Sequence, residues 1–140
     1  MEVTVSVEVG NKFGSEVLLT DREIIEAARF IGDENQIHHN PNHKNPRVEG
    51  LIASGSHFSG VFSALVPSYF SKYGHVLGLD MSFQFRSPIL AKRTYKLTWI
   101  VMSKAWNAKL NGTLFGLNGE VTGPSEKIVM TGKANVLTYD

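Results

Sequence analysis

A broad apolar stripe marks the helix that the sequence predicts after Gly55. Its members recur at spacings of three and four residues, which places them on one helical face: Phe58, Val61, Phe62, Leu65, Val66 and Tyr69. Pro67 predicts an end or a kink near Val66, because an interior proline destabilises a helix by about 3 kcal/mol. A helix with so wide a stripe is expected to be buried against another layer of structure.

The second half of the chain supplies that layer as strands. Four stretches after the helix alternate apolar and polar side chains, the third of them less regularly: residues 77–85, 95–101, 107–122 and 128–136. Turns or bends are predicted between them, at Ser87-Pro88, Ala105 to Asn107 and Gly123-Pro124-Ser125. Because helices do not alternate with these strands, a curved antiparallel sheet around one buried helix is favoured over a parallel α/β design. The prediction is an α+β fold in which residues 1–140 form one domain.

The first half carries shorter elements. Alternation from Val3 to Val9 predicts a strand, and residues 13–19 are a second short extended candidate. Thr20 and Glu23 have the spacing of a capping box, which predicts a helix that Gly32 ends. Residues 33–50 are mostly polar and show no period, and a loop of this length inside a small domain is usually functional.

Composition excludes several classes of function. A net charge of +1 in 140 residues gives no argument for binding nucleic acid or an anionic membrane. The absence of cysteine excludes disulfides, thiolate nucleophiles and thiolate metal sites. The N-terminus lacks the pattern of a signal peptide, and no apolar run has the length of a membrane span. We therefore expect a cytoplasmic protein with no membrane partner.

The residues best suited to catalysis lie at the two ends of the long loop. Asp33 and His38 place a carboxylate and an imidazole five positions apart, and Gly55 opens the apolar helix with free backbone N–H groups. An acid/base pair that faces a helix N-terminus can move a proton while it polarises a carbonyl. His38, His39 and His43 suggest zinc, but no helix puts His39 and His43 on one face and no further ligand is patterned, so no metal is predicted. His39 and His43 are expected to be solvated.

These segments resemble a known family. Residues 32–38, Gly-Asp-Glu-Asn-Gln-Ile-His, resemble the G-D-x-N-P-x-H motif of MaoC-like, (R)-specific enoyl-CoA hydratases. Residues 50–55 resemble the segment that leads into that family's central helix, and Phe62-Ser63-Ala64 resembles its Phe-Ser-Gly step. Residues 79–83, 88–89 and 130–134 resemble two of its strands. The likeness extends over nearly the whole chain from about Val7.

The resemblance implies a hotdog fold, in which an antiparallel sheet wraps a long central helix, and a homodimer that binds acyl-CoA or acyl-carrier-protein thioesters. It implies hydration of 2-enoyl thioesters, or the reverse dehydration, with no metal and no redox cofactor. Asp33 and His38 carry over as the acid/base pair and the Gly55 N–H as donor to the thioester oxygen. Asn35 carries over as a site-shaping residue, and Ser63 as a hydroxyl that supports the carboxylate.

The chain departs from the family's pattern at three places. Gln36 replaces the motif's proline, Lys44 replaces a small residue, and Ser54-Gly55-Ser56 replaces a His-Gly-Met step. Two alternatives therefore stay open beside the hydratase. One is a hotdog thioesterase, which would aim water or a carboxylate at the carbonyl carbon. The other is a non-catalytic subunit that binds acyl-CoA.

Overall fold

The computed structural model describes residues 6–140 of the chain. Within that range lie two α-helices, a 3₁₀ turn and five strands, in the order β1 (Lys12–Leu18), α1 (Asp21–Ile31), the turn (Gln36–His38), α2 (Gly55–Phe70), β2 (His75–Phe85), β3 (Thr94–Asn107), β4 (Gly112–Thr122) and β5 (Ile128–Tyr139). The strands form one antiparallel sheet in the order β1-β3-β4-β5-β2. The α+β prediction is confirmed, and none of the described helices is both long and apolar enough to cross a membrane.

Helix α1 ends directly before the long loop. Its capping box forms as predicted: Thr20 Oγ1 accepts from the Glu23 N–H at 3.1 Å, and Glu23 Oε1 accepts from the Thr20 N–H at 3.1 Å. Gly32 ends the helix at a φ of 81°, a left-handed conformation that glycine adopts without strain. Because this cap fixes where the helix stops, Asp33 begins the loop at a defined point.

Helix α2 lies under the sheet and forms the centre of the core. One face is fully buried, through Phe58, Phe62, Val66 and Phe70. Trp99 of β3 stacks on Phe62, with ring centroids 4.4 Å apart, and its indole N–H donates to the Phe62 carbonyl at 3.0 Å. This hydrogen bond satisfies a buried indole that would otherwise be costly to desolvate.

Of the end or kink predicted near Val66, the end is wrong. Helix α2 continues through Pro67 to Phe70. The proline removes one N–H from the helical ladder, but the Ser71 N–H still donates to the Pro67 carbonyl at 2.9 Å. The turn after Pro67 also buries Phe70 completely, against Phe13, Tyr69 and Phe115. Burial of an aromatic side chain is worth enough to offset the proline.

Two further boundaries differ from the sequence predictions. Residues 3–5 of the predicted first strand lie outside the described residues, and residues 6–9 form a bend and a turn instead of a strand. The Asn11 side chain closes that turn by accepting from the Glu8 N–H at 3.0 Å. The turn predicted at residues 105–107 is also wrong, because β3 runs through Asn107 and the hairpin follows it. Asn111, at a φ of 49°, supplies the left-handed residue of that hairpin.

Gly119 of β4 lies against the two stacked rings of the core, and its replacement tests the packing. A Cβ there would lie 2.5 Å from Phe62 and 2.7 Å from Trp99, two rings with no exposed surface. We expect Gly119→Ala to lower the free energy of unfolding by about 1–3 kcal/mol, because neither ring has room to move. Urea unfolding measures it, with Gly123→Ala as the control, since a Cβ at Gly123 meets nothing closer than 3.5 Å. Equal stability of the two variants would contradict this packing.

Candidate active site

The structure brings Asp33 and His38 together. His38 Nε2 lies 3.2 Å from Asp33 Oδ2, with the imidazole almost fully buried and the carboxylate partly open to solvent. Asp33 directly follows the Gly32 cap of α1, and His38 ends the 3₁₀ turn. The pair is therefore held by a helix end on one side and a turn on the other, and one side of the carboxylate can reach a ligand.

The other ring nitrogen of His38 is fixed by the backbone. His38 Nδ1 lies 2.6 Å from the Ile52 carbonyl oxygen, which can only accept a hydrogen bond, so Nδ1 carries a proton. Nε2 is then the nitrogen that faces Asp33 and the nitrogen that can exchange a proton with a ligand. The Ile52 N–H in turn donates to the Ile37 carbonyl at 3.0 Å, so residue 52 ties the 3₁₀ turn to the segment that leads into α2.

Asp33 is held as an anion. Desolvation raises the pKa of this carboxyl, but the hydrogen bond from the Asn35 N–H, the nearby Ser54 hydroxyl, and the nearby imidazoles of His38 and His39 together outweigh it. The net effect is a pKa below the ordinary aspartate value. The carboxyl is therefore ionised at neutral pH, the state in which it can accept a hydrogen bond or a proton.

Asn35 shapes the turn between the two groups. Its N–H donates to Asp33 Oδ1 at 3.1 Å, and its own Oδ1 accepts from the Ile37 N–H at 3.4 Å as the cap of the 3₁₀ turn. The two hydrogen bonds fix the spacing between the carboxylate and the imidazole. Gln36 occupies the place of the proline in the motif without preventing the turn.

The prediction that His39 and His43 are solvated is wrong. His39 Nε2 hydrogen-bonds the Asp33 carbonyl, and His43 Nε2 lies 2.7 Å from the Gly50 carbonyl. Both side chains are partly buried. They close the long loop by supplying donors to carbonyls that have no strand or helix partner, a role that no sequence period could have indicated.

Gly55 is the first residue of α2, where the backbone N–H has no partner within the helix. Ser54 precedes it with a ψ of 140°, so the chain enters the helix from an extended conformation. Phe85, the last residue of β2, lies over the glycine: a Cβ at Gly55 would sit 3.1 Å from the Phe85 ring. The free N–H thus lies at the positive end of a helix, with an aromatic wall beside it.

A cavity of about 320 Å³ adjoins this helix N-terminus. Its walls are mainly apolar and include Gly55 with side chains from the loop, α2 and the end of β2, among them Ile37, Phe58, Phe85 and Ile89. Asp33 and His38 are not among the residues that line the cavity. Ile37 and Ile52, which lie beside His38, do line it. The cavity thus passes the Gly55 N–H and reaches the residues next to the acid/base pair.

Ser63 is not placed as expected. Ser63 Oγ donates to the Gly60 carbonyl of its own helix at 3.2 Å, and within residues 6–140 it makes no hydrogen bond to Asp33. The hydroxyl that lies near Asp33 is that of Ser54, which is fully buried and makes no hydrogen bond of ordinary geometry within residues 6–140. The sequence showed Ser54 only as a departure from the family's pattern, with no signal of its orientation.

Comparisons with known proteins agree on the fold. No protein-family model matches the sequence, and no curated protein does. An (R)-hydratase from A. caviae involved in PHA biosynthesis superposes with a TM-score of 0.82 at 20% identity, over 96% of this chain and 98% of that one. A MaoC-like dehydratase from Rhodospirillum rubrum gives a TM-score of 0.71 at 14% identity, over 95% and 93%. The HadBC (3R-hydroxyacyl-ACP dehydratase) complex from Mycobacterium tuberculosis gives 0.78 at 12% identity, over 98% and 99%. This chain has the hotdog fold, and its structural neighbours are (R)-hydratases and MaoC-like dehydratases.

Proposed function

We propose that this protein hydrates 2-enoyl thioesters to (3R)-hydroxyacyl thioesters, and catalyses the reverse dehydration. The observation that carries the proposal is the 3.2 Å contact of His38 Nε2 with Asp33 Oδ2, anchored through Ile52 three residues before the first residue of α2. The fold shared with (R)-hydratases and with a 3R-hydroxyacyl-ACP dehydratase supports it. The substrate is an acyl thioester of CoA or of acyl carrier protein.

Asp33, His38 and Gly55 each have a separate part in the proposed reaction. The Asp33 carboxylate accepts a proton from water as the water oxygen bonds to C3 of the enoyl group. The step starts with a proton on each ring nitrogen of His38, so Nε2 can donate its proton to C2, and the 3.2 Å contact then lets Asp33 return its proton to Nε2. The double bond is consumed, one water is added and neither group is changed overall. The Gly55 N–H stabilises the negative charge that builds on the thioester oxygen.

Turnover of crotonyl-CoA tests the proposal directly. Hydration removes the conjugated-thioester absorbance without releasing thiol, so we expect the absorbance to fall while a thiol reagent stays unreacted. Release of free CoA would instead identify a thioesterase. Saturable acyl-CoA binding with no turnover of crotonyl-CoA or of a longer 2-enoyl-CoA would identify a binding subunit, and would contradict the hydratase.

We further propose a homodimer formed along β2. This strand is one edge of the sheet and leaves Leu77, Leu79 and Phe85 about half exposed. Leu79 lies at the break in register between Gly78 and Asp80, where it has no partner on β5. An unpaired edge with exposed apolar side chains is suited to pair with a second copy about a two-fold axis.

We therefore expect Leu79→Glu to convert the dimer into a monomer, because two carboxylates would be brought together in the new interface. Analytical ultracentrifugation measures the change. Leu110→Glu is the control, since Leu110 is equally exposed but lies in the β3–β4 hairpin. A wild-type protein that sediments as a monomer, or a Leu79→Glu variant that stays a dimer, would contradict the proposed interface.

A further inference from the structure

Ser54 carries a hydroxyl that the helix does not use. It is the N-cap residue of α2, a position where serine normally accepts a hydrogen bond from an N–H of the first turn. Here the side chain makes no such bond, and only the carbonyl serves the helix, accepting from the Phe58 N–H at 3.0 Å. The Ser54 hydroxyl is therefore available to a partner outside the helix.

The same hydroxyl is buried and incompletely satisfied. Ser54 has no exposed surface, and its Oγ has no hydrogen bond of ordinary geometry within residues 6–140. A buried hydroxyl without a partner destabilises a protein, so a hydroxyl retained next to Gly55 indicates a role other than packing. If position 54 only filled space in the core, alanine would serve without burying a hydroxyl.

The charged group beside it is Asp33. The hydroxyl lies close enough to the carboxylate to lower its pKa, as the Asn35 N–H does. The backbone explains the proximity, since Ile52, two residues before Ser54, holds His38 through its carbonyl and Ile37 through its N–H. The charged and titratable groups around the carboxylate are thus His38 and His39, with Ser54 as a neutral donor.

We propose that Ser54 is a positioning residue, whose hydroxyl donates to the Asp33 carboxylate and turns it toward His38 Nε2 and the reacting water. No hydrogen bond of ordinary geometry joins the two groups in the free protein within residues 6–140, and we expect one to form when substrate fills the site, since hydrogen bonds in free active sites commonly tighten on binding. Ser54 thereby takes the supporting role that the resemblance assigns to Ser63. The proposal builds on the hydratase function, but the contact between hydroxyl and carboxylate can be tested without turnover.

Carbon-13 NMR titration of the Asp33 carboxyl group is that test. A donor to the anion lowers the pKa, so its removal in Ser54→Ala must raise the pKa of Asp33 and move its titration to higher pH. Ser54→Thr keeps the hydroxyl and is expected to restore the wild-type titration. Ser56→Ala, an exposed serine in the same helical turn, is the matched control and is expected to change nothing.

The kinetic test adds a second readout. If the protein hydrates crotonyl-CoA, Ser54→Ala should lower kcat about tenfold with KM nearly unchanged, and shift the acid limb of the pH profile upward. An unchanged Asp33 titration in Ser54→Ala, or an upward shift in Ser63→Ala instead, would overturn the proposal even if the enzyme is a hydratase. If the protein does not hydrate crotonyl-CoA but the Asp33 titration shifts in Ser54→Ala, the contact is established and only the proposed reaction is refuted.

Discussion

Asp33→Asn should reduce kcat/KM for crotonyl-CoA hydration by about 10²- to 10⁴-fold, the usual contribution of a positioned acid or base. Asparagine keeps the oxygen that accepts from the Asn35 N–H at 3.1 Å, so the turn is retained. It also places an N–H where Oδ2 contacts His38 Nε2, so the two side chains stay paired. What the variant loses is the capacity to take a proton from water.

The control is Asp21→Asn. Asp21 lies on α1 with its carboxylate 3.4 Å from Lys92 Nζ and a similar exposed fraction, but outside the site. We expect this variant to keep full activity, and Asp33→Asn to remain folded. A loss below tenfold in a folded Asp33→Asn variant would remove Asp33 from the proposed reaction.

The elements that sequence reasoning predicted well depend on neighbours along the chain. The capping box of α1 and the helix-ending Gly32 are read from residues three or four apart, and both occur as expected. The proximity of Asp33 and His38 is of the same kind, because one turn of 3₁₀ helix capped by Asn35 spans the interval between them. Local hydrogen bonds of this sort are encoded within a few residues.

The features that were missed depend on contacts between distant segments. Whether Ser54 or Ser63 approaches Asp33 is decided by Ile52, which pairs with residue 37 on one side and forms a bridge to Leu90 on the other. The continuation of α2 through Pro67 depends on packing of Phe70 against Phe115, forty-five residues away. Neither pairing has a signature in a single sequence, because tertiary packing overrides local preference.

Gly55→Pro is expected to lower kcat by about 10²- to 10³-fold, the effect of removing one donor to a developing oxyanion. Proline lacks the N–H that we assign to the thioester oxygen, yet it is favoured at the first position of a helix. Ser54 already has a ψ of 140°, within the range that a following proline allows. The substitution therefore deletes the donor from a backbone that is already compatible with it.

Gly55→Ala separates the missing N–H from the added side-chain atoms. Alanine keeps the N–H and adds the same Cβ, 3.1 Å from the ring of Phe85, which is about half exposed and therefore able to shift. We expect Gly55→Ala to change mainly KM, by narrowing the cavity, and Gly55→Pro to change kcat, because its loss occurs where charge develops. If the two folded variants had the same kcat, the N–H would be irrelevant to the transition state, and the anchoring of the acid/base pair next to this helix end would need another explanation.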